Sequence, residues 1–463
     1  MRTPRVGPRG VLALMACVTV LNVMDRQLVA VLIEPIKRDL GVSDVAMGLL
    51  TGTSFALLHV AASIPIAVWA DRGVRRSIIA LGLGVWSGLT VLTGFARNFG
   101  EMFVIRVGVG IGEATGGGPA QALLSDAFPP ERRATALSIL IMGGPVGSMV
   151  AFAAGGWLSD TLGWRAAFVI FGAPGLVLAV LIRLLVREPK RGAFDVLSSS
   201  ATASSLPSTD DAADSDSDAA AHVVVDADPG AAGPRVELEP VPFVEAARFL
   251  LSVPSIRNTA LACGLNAVGI YSILIWAVPY LSRVHGFSTA EAGIRLAIAS
   301  ALFTAFGTLA GGPIADRLAA RDPSWLVRMP AITSALVFPF GVAFALVPSG
   351  DLASLLLAPA SFLAGAQFGP TYSAVQTLAP PQMRALAAAG VTVTNTILGL
   401  GLAPPLVGWL NDLGAASYGN DSIRYSLVLM MVSHLAAACL LLRSSKTLEQ
   451  NLRARERFMA ESP

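Results

Sequence analysis

Apolar residues in this chain gather into twelve runs of roughly 18 to 25 residues, beginning near residues 11, 46, 77, 101, 135, 164, 257, 289, 325, 352, 385 and 424. A helix needs about that length to cross about 30 Å of hydrocarbon at about 1.5 Å per residue. Inside a bilayer the backbone must satisfy its own hydrogen bonds, which leaves helices or a closed barrel. A barrel would show segments of about ten alternating residues, and continuous apolar runs exclude it. With 54% hydrophobic and 14% charged residues, the chain also lies outside the soluble balance. The expected fold class is therefore an all-α integral membrane protein. The first run, Val11 to Ile33, holds Asp25-Arg26 in its interior and lacks a small-residue cleavage site, so it reads as a retained span and not as a signal peptide. Cys17, Cys263 and Cys439 stand in apolar runs at unrelated positions, which suits buried small residues better than disulfides or metal ligands.

Charge sets the expected orientation. If both termini are cytoplasmic, the 33 Lys and Arg residues divide as 23 inside, 7 outside and 3 within spans, in keeping with the positive-inside rule. Between the sixth and seventh runs the composition shifts to Ala, Ser and Asp, with few large apolar residues. Residues 192–250 are accordingly expected to be a disordered acidic cytoplasmic linker between a first bundle, 1–191, and a second, 251–443, with a cytoplasmic tail helix over 444–463. The two bundles repeat one another. Gly118-Pro119, Pro129-Pro130 and Arg133-Ala134 recur as Gly369-Pro370, Pro380-Pro381 and Arg384-Ala385. Gly156-Trp157-Leu158-Ser159-Asp160 recurs as Gly408-Trp409-Leu410-Asn411-Asp412, and Asp71-Arg72 as Asp316-Arg317. Three matches in one order mean a duplicated six-helix unit. Six spans return the chain to its starting side, so the copies are parallel repeats, a build that places a substrate site between them near the midplane.

Asp71-Arg72 with Arg75 and Arg76 in the second-to-third loop resembles the signature loop of the major facilitator superfamily, and the repeat supplies Asp316-Arg317. The resemblance implies a conformational latch at these positions, with carboxylates that can pair with Arg or with a neighbouring helix N-terminus. The loop departs from the pattern in having Ala67 where a Gly is expected, whereas Gly312 keeps it in the second copy. Gly144-Pro145 with Gly147, Gly155 and Gly156 is similar to the superfamily's glycine-rich fifth helix, although close packing through small residues accounts for the same pattern. A narrower resemblance, to the Spinster branch, rests on Asn22-Val-Met-Asp25-Arg26 and on Arg106 followed by Gly108, Gly110, Gly112, Glu113 and Ala114. That branch is associated with lysophospholipids and sphingosine phosphate, apparently with proton coupling, so the resemblance implies a transporter and not an enzyme. The three glycines are not a dinucleotide fingerprint, because no strand precedes them.

Ionisable groups inside spans cost about 2.5 to 3.5 kcal/mol each on insertion scales and are functional hypotheses by default. Asp25, Arg26, Arg106 and Glu113 form a dense set whose formal charges cancel. Arg106 and Glu113, seven residues apart, share one helical face at about 10 Å along the axis. Which Arg takes which carboxylate is open at this stage, and fixed salt bridges between helices are the alternative to function. The functional reading makes Asp25 and Glu113 proton carriers and Arg26 and Arg106 the partners of an anionic substrate head, which Arg can grip bidentately. The second half offers neutral lining groups, Asn266, Tyr271, Gln367, Tyr372 and Asn395. A charged half facing a mostly apolar half suits an amphipathic anion. His59 and His434 stand singly in apolar spans and read as packing residues.

The expectation is a proton-coupled secondary transporter of the inner (plasma) membrane for a lysolipid-like anion, with a drug or small-organic-anion carrier as the alternative. It is expected to work as a monomer among membrane lipids, with no cofactor, metal or nucleic acid. A membrane enzyme would need a catalytic set at an interface, and no His-rich cluster, Ser-His-Asp arrangement or phosphate loop is apparent. Deletion of residues 195–235, where nothing apolar can dock, is expected to leave a folded transporter of unchanged thermal stability in detergent. Aggregation of that variant on size exclusion would show that the segment is structured.

Overall fold

A computed structural model describes residues 6–189, 243–380 and 383–461. The described residues are overwhelmingly helical, and they carry the apolar runs in the expected order. Ten helices are long and apolar enough to cross a membrane. They reconcile with twelve spans on inspection. The eleventh and twelfth form one continuous apolar stretch, Leu386–Leu448, and the fourth falls below span length because it is broken into Phe99–Glu113 and Gly118–Ala127. The break follows from sequence: three glycines and Pro119 succeed one another, each Gly costing about 1 kcal/mol and Pro about 3 in a helix interior. The tenth span breaks in the same way at Gln367, between Gly350–Ala366 and Phe368–Leu378, just before its own Gly369-Pro370. The repeated Gly-Pro is thus a pair of matched helix breaks, which sequence alone read only as a mark of duplication.

Within the first half the first span, Pro8–Val31, packs along the fifth, and the third, Arg75–Thr93, along the sixth, Trp164–Leu185. In the second half the seventh, Pro254–His285, packs along the twelfth, and the eighth along the tenth. The glycine-rich fifth span behaves as a packing surface, since a Cβ on Gly147 would lie 2.4 Å from the Val20 carbonyl oxygen of the first span. Two boundaries differ from expectation. Phe243–Ser252 is helical, so ordered structure resumes inside the stretch assigned to the linker, because Phe249 and Leu250 pack onto the core of the second half. The last span runs unbroken from Ser422 to Glu461, without a separate tail helix, since nothing between them terminates it. Residues 190–242, the rest of the expected linker, lie outside the described residues.

The side carrying the termini is called inner here and the opposite side outer. The halves join at their outer ends. The first turns of the second span, Asp44–Ala70, meet the last turns of the eleventh, and the fifth meets the first turns of the eighth, Thr289–Ala319.

Tight helix crossings give a direct test of packing. A Cβ at Gly307 would lie 1.9 Å from the Phe362 carbonyl oxygen, whereas one at Gly312, a turn away, meets nothing within 4 Å. Gly307→Ala is expected to destabilise the protein by about 1–3 kcal/mol through overpacking, with Gly312→Ala near neutral. Thermal unfolding in detergent reads both, and equal midpoints would refute the crossing.

Candidate functional site

The four buried charges converge. Arg106 Nη1 lies 2.9 Å from Asp25 Oδ2, with both side chains almost wholly buried. Arg26 Nε lies 2.9 Å from Glu113 Oε2, where the carboxylate is fully buried and 30% of the Arg26 side chain is exposed. The pairing that sequence left open is therefore Arg106 with Asp25 and Arg26 with Glu113. The two pairs lie close enough to interact electrostatically, for Glu113 is within reach of the charges of Asp25 and Arg106 as well as that of Arg26. Arg106 and Glu113 stand two turns apart on the fourth span, and the neighbours Asp25 and Arg26 on the first span reach one each. The Thr90 hydroxyl of the third span lies 2.8 Å from Asp25 Oδ1.

The fourth span can carry these charges inward because its glycines let it approach its neighbours. A Cβ on Gly112 would lie 2.8 Å from Trp86 Cβ of the third span, and one on Gly110 would lie 3.1 Å from the Phe55 carbonyl oxygen of the second. Arg26 is held in layers: its guanidinium sits 5.0 Å over the Phe55 ring, and the His59 ring stacks on Phe55 at 4.8 Å between centroids. Asn22, one turn earlier, hydrogen-bonds the Arg26 guanidinium. Arg26 thus donates a hydrogen bond to a neutral amide and meets the Glu113 carboxylate as a charge, its Nε–H being out of hydrogen-bond geometry with either oxygen. It is the more loosely tied of the two arginines.

In the second half, Asn266 Nδ2 donates to Gln367 Oε1 at 2.8 Å and to Ser334 Oγ at 3.0 Å, and all three are buried. Asn266 stands 244 residues after Asn22, close to the offset of 245 between Asp71 and Asp316, so each half places an Asn at the corresponding turn. Gln367 stands at the tenth-span break as Glu113 stands at the fourth-span break. The Tyr372 hydroxyl lies 3.3 Å from Thr392 Oγ1, and Asn395 Nδ2 reaches Cys263 Sγ at 3.8 Å. Asn266, Gln367, Tyr372 and Asn395 line one recess of about 10 Å³, room for a single water. Tyr271 of the seventh span is within electrostatic reach of Arg26, which brings the two walls together. Thr90, Ser334 and Phe55 went unnoticed in sequence, because a lone hydroxyl or ring in an apolar run carries no signal of the helix it faces.

The latch candidates divide. Arg75 forms an ion pair with Asp126 of the fourth span, and its guanidinium reaches the Ala122 carbonyl at 3.3 Å. The backbone N–H groups of Arg75 and Arg76 donate to the Glu188 carboxylate at 3.1 and 2.9 Å, capping the third span. Arg75 and Arg76 are thus engaged within their own half, while Arg72, Asp316 and Arg317 are exposed. The Asp71 side chain lies outside the described residues.

Two matched helical bundles around a buried, mutually neutral set of charges, sealed at one end of their interface, are the build of a secondary transporter. The chain belongs to the Major Facilitator Superfamily, whose family model matches residues 15–404, and within that superfamily it is similar to Spinster proteins. An MFS-type efflux pump of Mycolicibacterium smegmatis (strain ATCC 700084 / mc(2)155) is 31% identical over 447 residues, 96% of this chain and 94% of that one. The sphingosine-1-phosphate transporter SPNS2 of Danio rerio is 33% identical over 179 residues, 38% of this chain and 35% of that one. Among solved structures, a bacterial homologue of the human lysosomal transporter Spinster, inward-facing and unoccupied, superposes with a TM-score of 0.79 at 28% identity, covering 96% of this chain and 98% of that one. These relatives are transporters and not enzymes.

We propose that Asp71 and Asp316 are paired latches of the inner side. Asp71→Asn is then expected to raise the inner-open population. Spin-label distances across the inner face read it, and an unchanged or more closed distribution would refute it.

Proposed function

We propose that the chain is a proton-coupled secondary active transporter, working by alternating access, for an amphipathic anion such as a lysophospholipid or a sphingolipid-like molecule. The observation that carries this reading is the two ion pairs on one wall, Arg106–Asp25 and Arg26–Glu113, within electrostatic reach of one another, with three members buried and Arg26 partly exposed. Burying such a set costs more than an equivalent apolar contact would, which argues for a use. Asp25 and Glu113 are the proton carriers. When Glu113 takes a proton, Arg26 loses its counter-charge and turns to the anionic head of the substrate, and deprotonation draws it back. Proton and substrate occupancy are then linked in free energy. Arg106, buried on Asp25, acts at the other end of the chain of charges. The opposing wall, neutral at Asn266, Tyr271, Gln367, Tyr372 and Asn395, takes the remainder of the molecule.

The chain is assigned to the plasma (inner) membrane with both termini and residues 192–240 cytoplasmic, on the strength of the 23-to-7 division of basic residues. The seal at the outer ends then faces away from the cytoplasm, and the partly exposed Arg26 is reached from the cytoplasmic side. A second reading, a carrier of drugs or small organic anions on the same machinery, is favoured by the near full-length similarity to the mycobacterial efflux pump.

Transport in proteoliposomes against a panel of lysolipids, drugs and organic anions, with and without a pH gradient, separates the two. Asp25→Asn or Glu113→Gln is expected to lower pH-driven transport by roughly tenfold or more while substrate binding is at least partly kept. Arg26→Ala is expected to weaken binding of an anionic ligand by about tenfold to a hundredfold, the worth of a charge-assisted hydrogen bond. Wild-type pH-driven transport in both carboxylate variants would reduce the four residues to structural salt bridges.

A further inference from the structure

The repeated Gly-Trp-Leu-x-Asp segment, so far only a mark of duplication, ends the fifth and eleventh spans on the outer side. Each copy reaches across to the opposite half. Asp160 Oδ2 accepts from the Ala290 N–H at 2.8 Å, in the first turn of the eighth span. Asp412 accepts from the Asp44 N–H at 3.1 Å and from the Val45 N–H at 2.9 Å, in the first turn of the second span. Asp44 and Thr289, which open those two spans, are themselves 245 residues apart. The glycine that begins each copy makes the approach possible. A Cβ on Gly156 would lie 2.4 Å from the Thr289 carbonyl oxygen, and one on Gly408 would lie 2.3 Å from that of Asp44. Both crossings therefore combine a glycine against a backbone carbonyl with an aspartate on free N–H groups.

We propose that this segment is the outer gate of the transporter: two symmetry-related seams, each closed by an aspartate of one half capping a helix of the other. The first N–H groups of a helix have no partner within it and carry the positive end of the helix dipole. A carboxylate from the other half supplies what water would otherwise supply. Asp160 and Asp412 are both exposed, so on opening each returns to water and so do the N–H groups. The seams are consequently weak enough to break in every cycle, as a gate between two nearly equal states requires. They are not equal. The second-to-eleventh seam is reinforced by buried Asp44, which pairs with Arg283 of the other half and with Lys37 and accepts from Asn411 Nδ2 at 3.0 Å. Arg283 also holds Glu34, with Nε 2.6 Å from Oε1. The first copy has Ser159 where the second has Asn411, and it lacks that bond to the facing helix among the described residues.

The test measures the outer opening directly. Spin labels at Phe95 and Leu346, exposed outer ends of the third and ninth spans, report the distance across the outer face of the full-length protein in liposomes. Asp160→Ala and Asp412→Ala are each expected to raise the outer-open to outer-closed ratio by about two- to fivefold, the range for a charge at a helix end, with the effects multiplying in the double variant. Asp351→Ala, which removes an exposed ion pair to Arg295 inside the second half, is expected to leave the distribution unchanged. Gly156→Val and Gly408→Val, which block the approach without touching a charge, are expected to shift it the same way as the aspartate variants. Where an Ala variant does not fold, the Asn variant, which keeps one acceptor oxygen and loses the charge, takes its place with a smaller shift. Wild-type distributions in the folded aspartate and glycine variants would overturn the gate, whatever the substrate proves to be.

Discussion

A charge in hydrocarbon must bring its counter-charge with it, and the rest of this molecule is arranged around that requirement. Arg106 and Asp25 meet almost wholly buried, Arg26 and Glu113 meet at the edge of exposure, and the two pairs feel one another's charge. To bring these side chains from two helices into one cluster, the fourth span must lie close to its neighbours, which is why it carries glycine where it meets them, at 108 and 112 against the third span and at 110 against the second. The same span must stop where its last charge is delivered, and the glycines and proline that follow Glu113 break it there.

The second half solves the same geometric problem without charge. Its broken tenth span delivers Gln367 in place of a carboxylate, and Asn266 answers with an amide. The two amides hold one another by a hydrogen bond and keep their places without a titratable group. One wall therefore carries carboxylates and arginines, and the other is built of neutral groups. Duplication gave both walls the same scaffold; divergence of side chains gave them different chemistry.

The halves also differ in how they are tied to one another. At the outer ends, backbone approaches backbone through glycine, and charged side chains cross the interface at Asp160, Asp412 and Arg283. On the inner side, Arg75 and Arg76 are engaged by Asp126 and Glu188 of their own half. A basic cluster that holds its own bundle together on one side, with crossing bonds gathered on the other, describes a molecule closed outside.

Sequence by itself determined the twelve helices, their parallel duplication and the identity of the four buried charges, because these follow from length against hydrocarbon, from repeated motifs and from the cost of burying charge. Asp25, Arg26, Arg106 and Glu113 stand out in an apolar run whatever the fold. Their partners do not. That Arg26 goes to Glu113 and Arg106 to Asp25 depends on side-chain reach across a helix contact, and helical counting had placed Glu113 two turns away. Thr90 on Asp25 and Ser334 beside Gln367 are ordinary hydroxyls until a neighbouring span is set against them. The Gly-Trp-Leu-x-Asp repeat was plain in sequence as a repeat, yet its bonds run to N–H groups more than a hundred residues distant. Backbone N–H groups are the same at every residue, so only the tertiary structure could decide which of them an aspartate would cap.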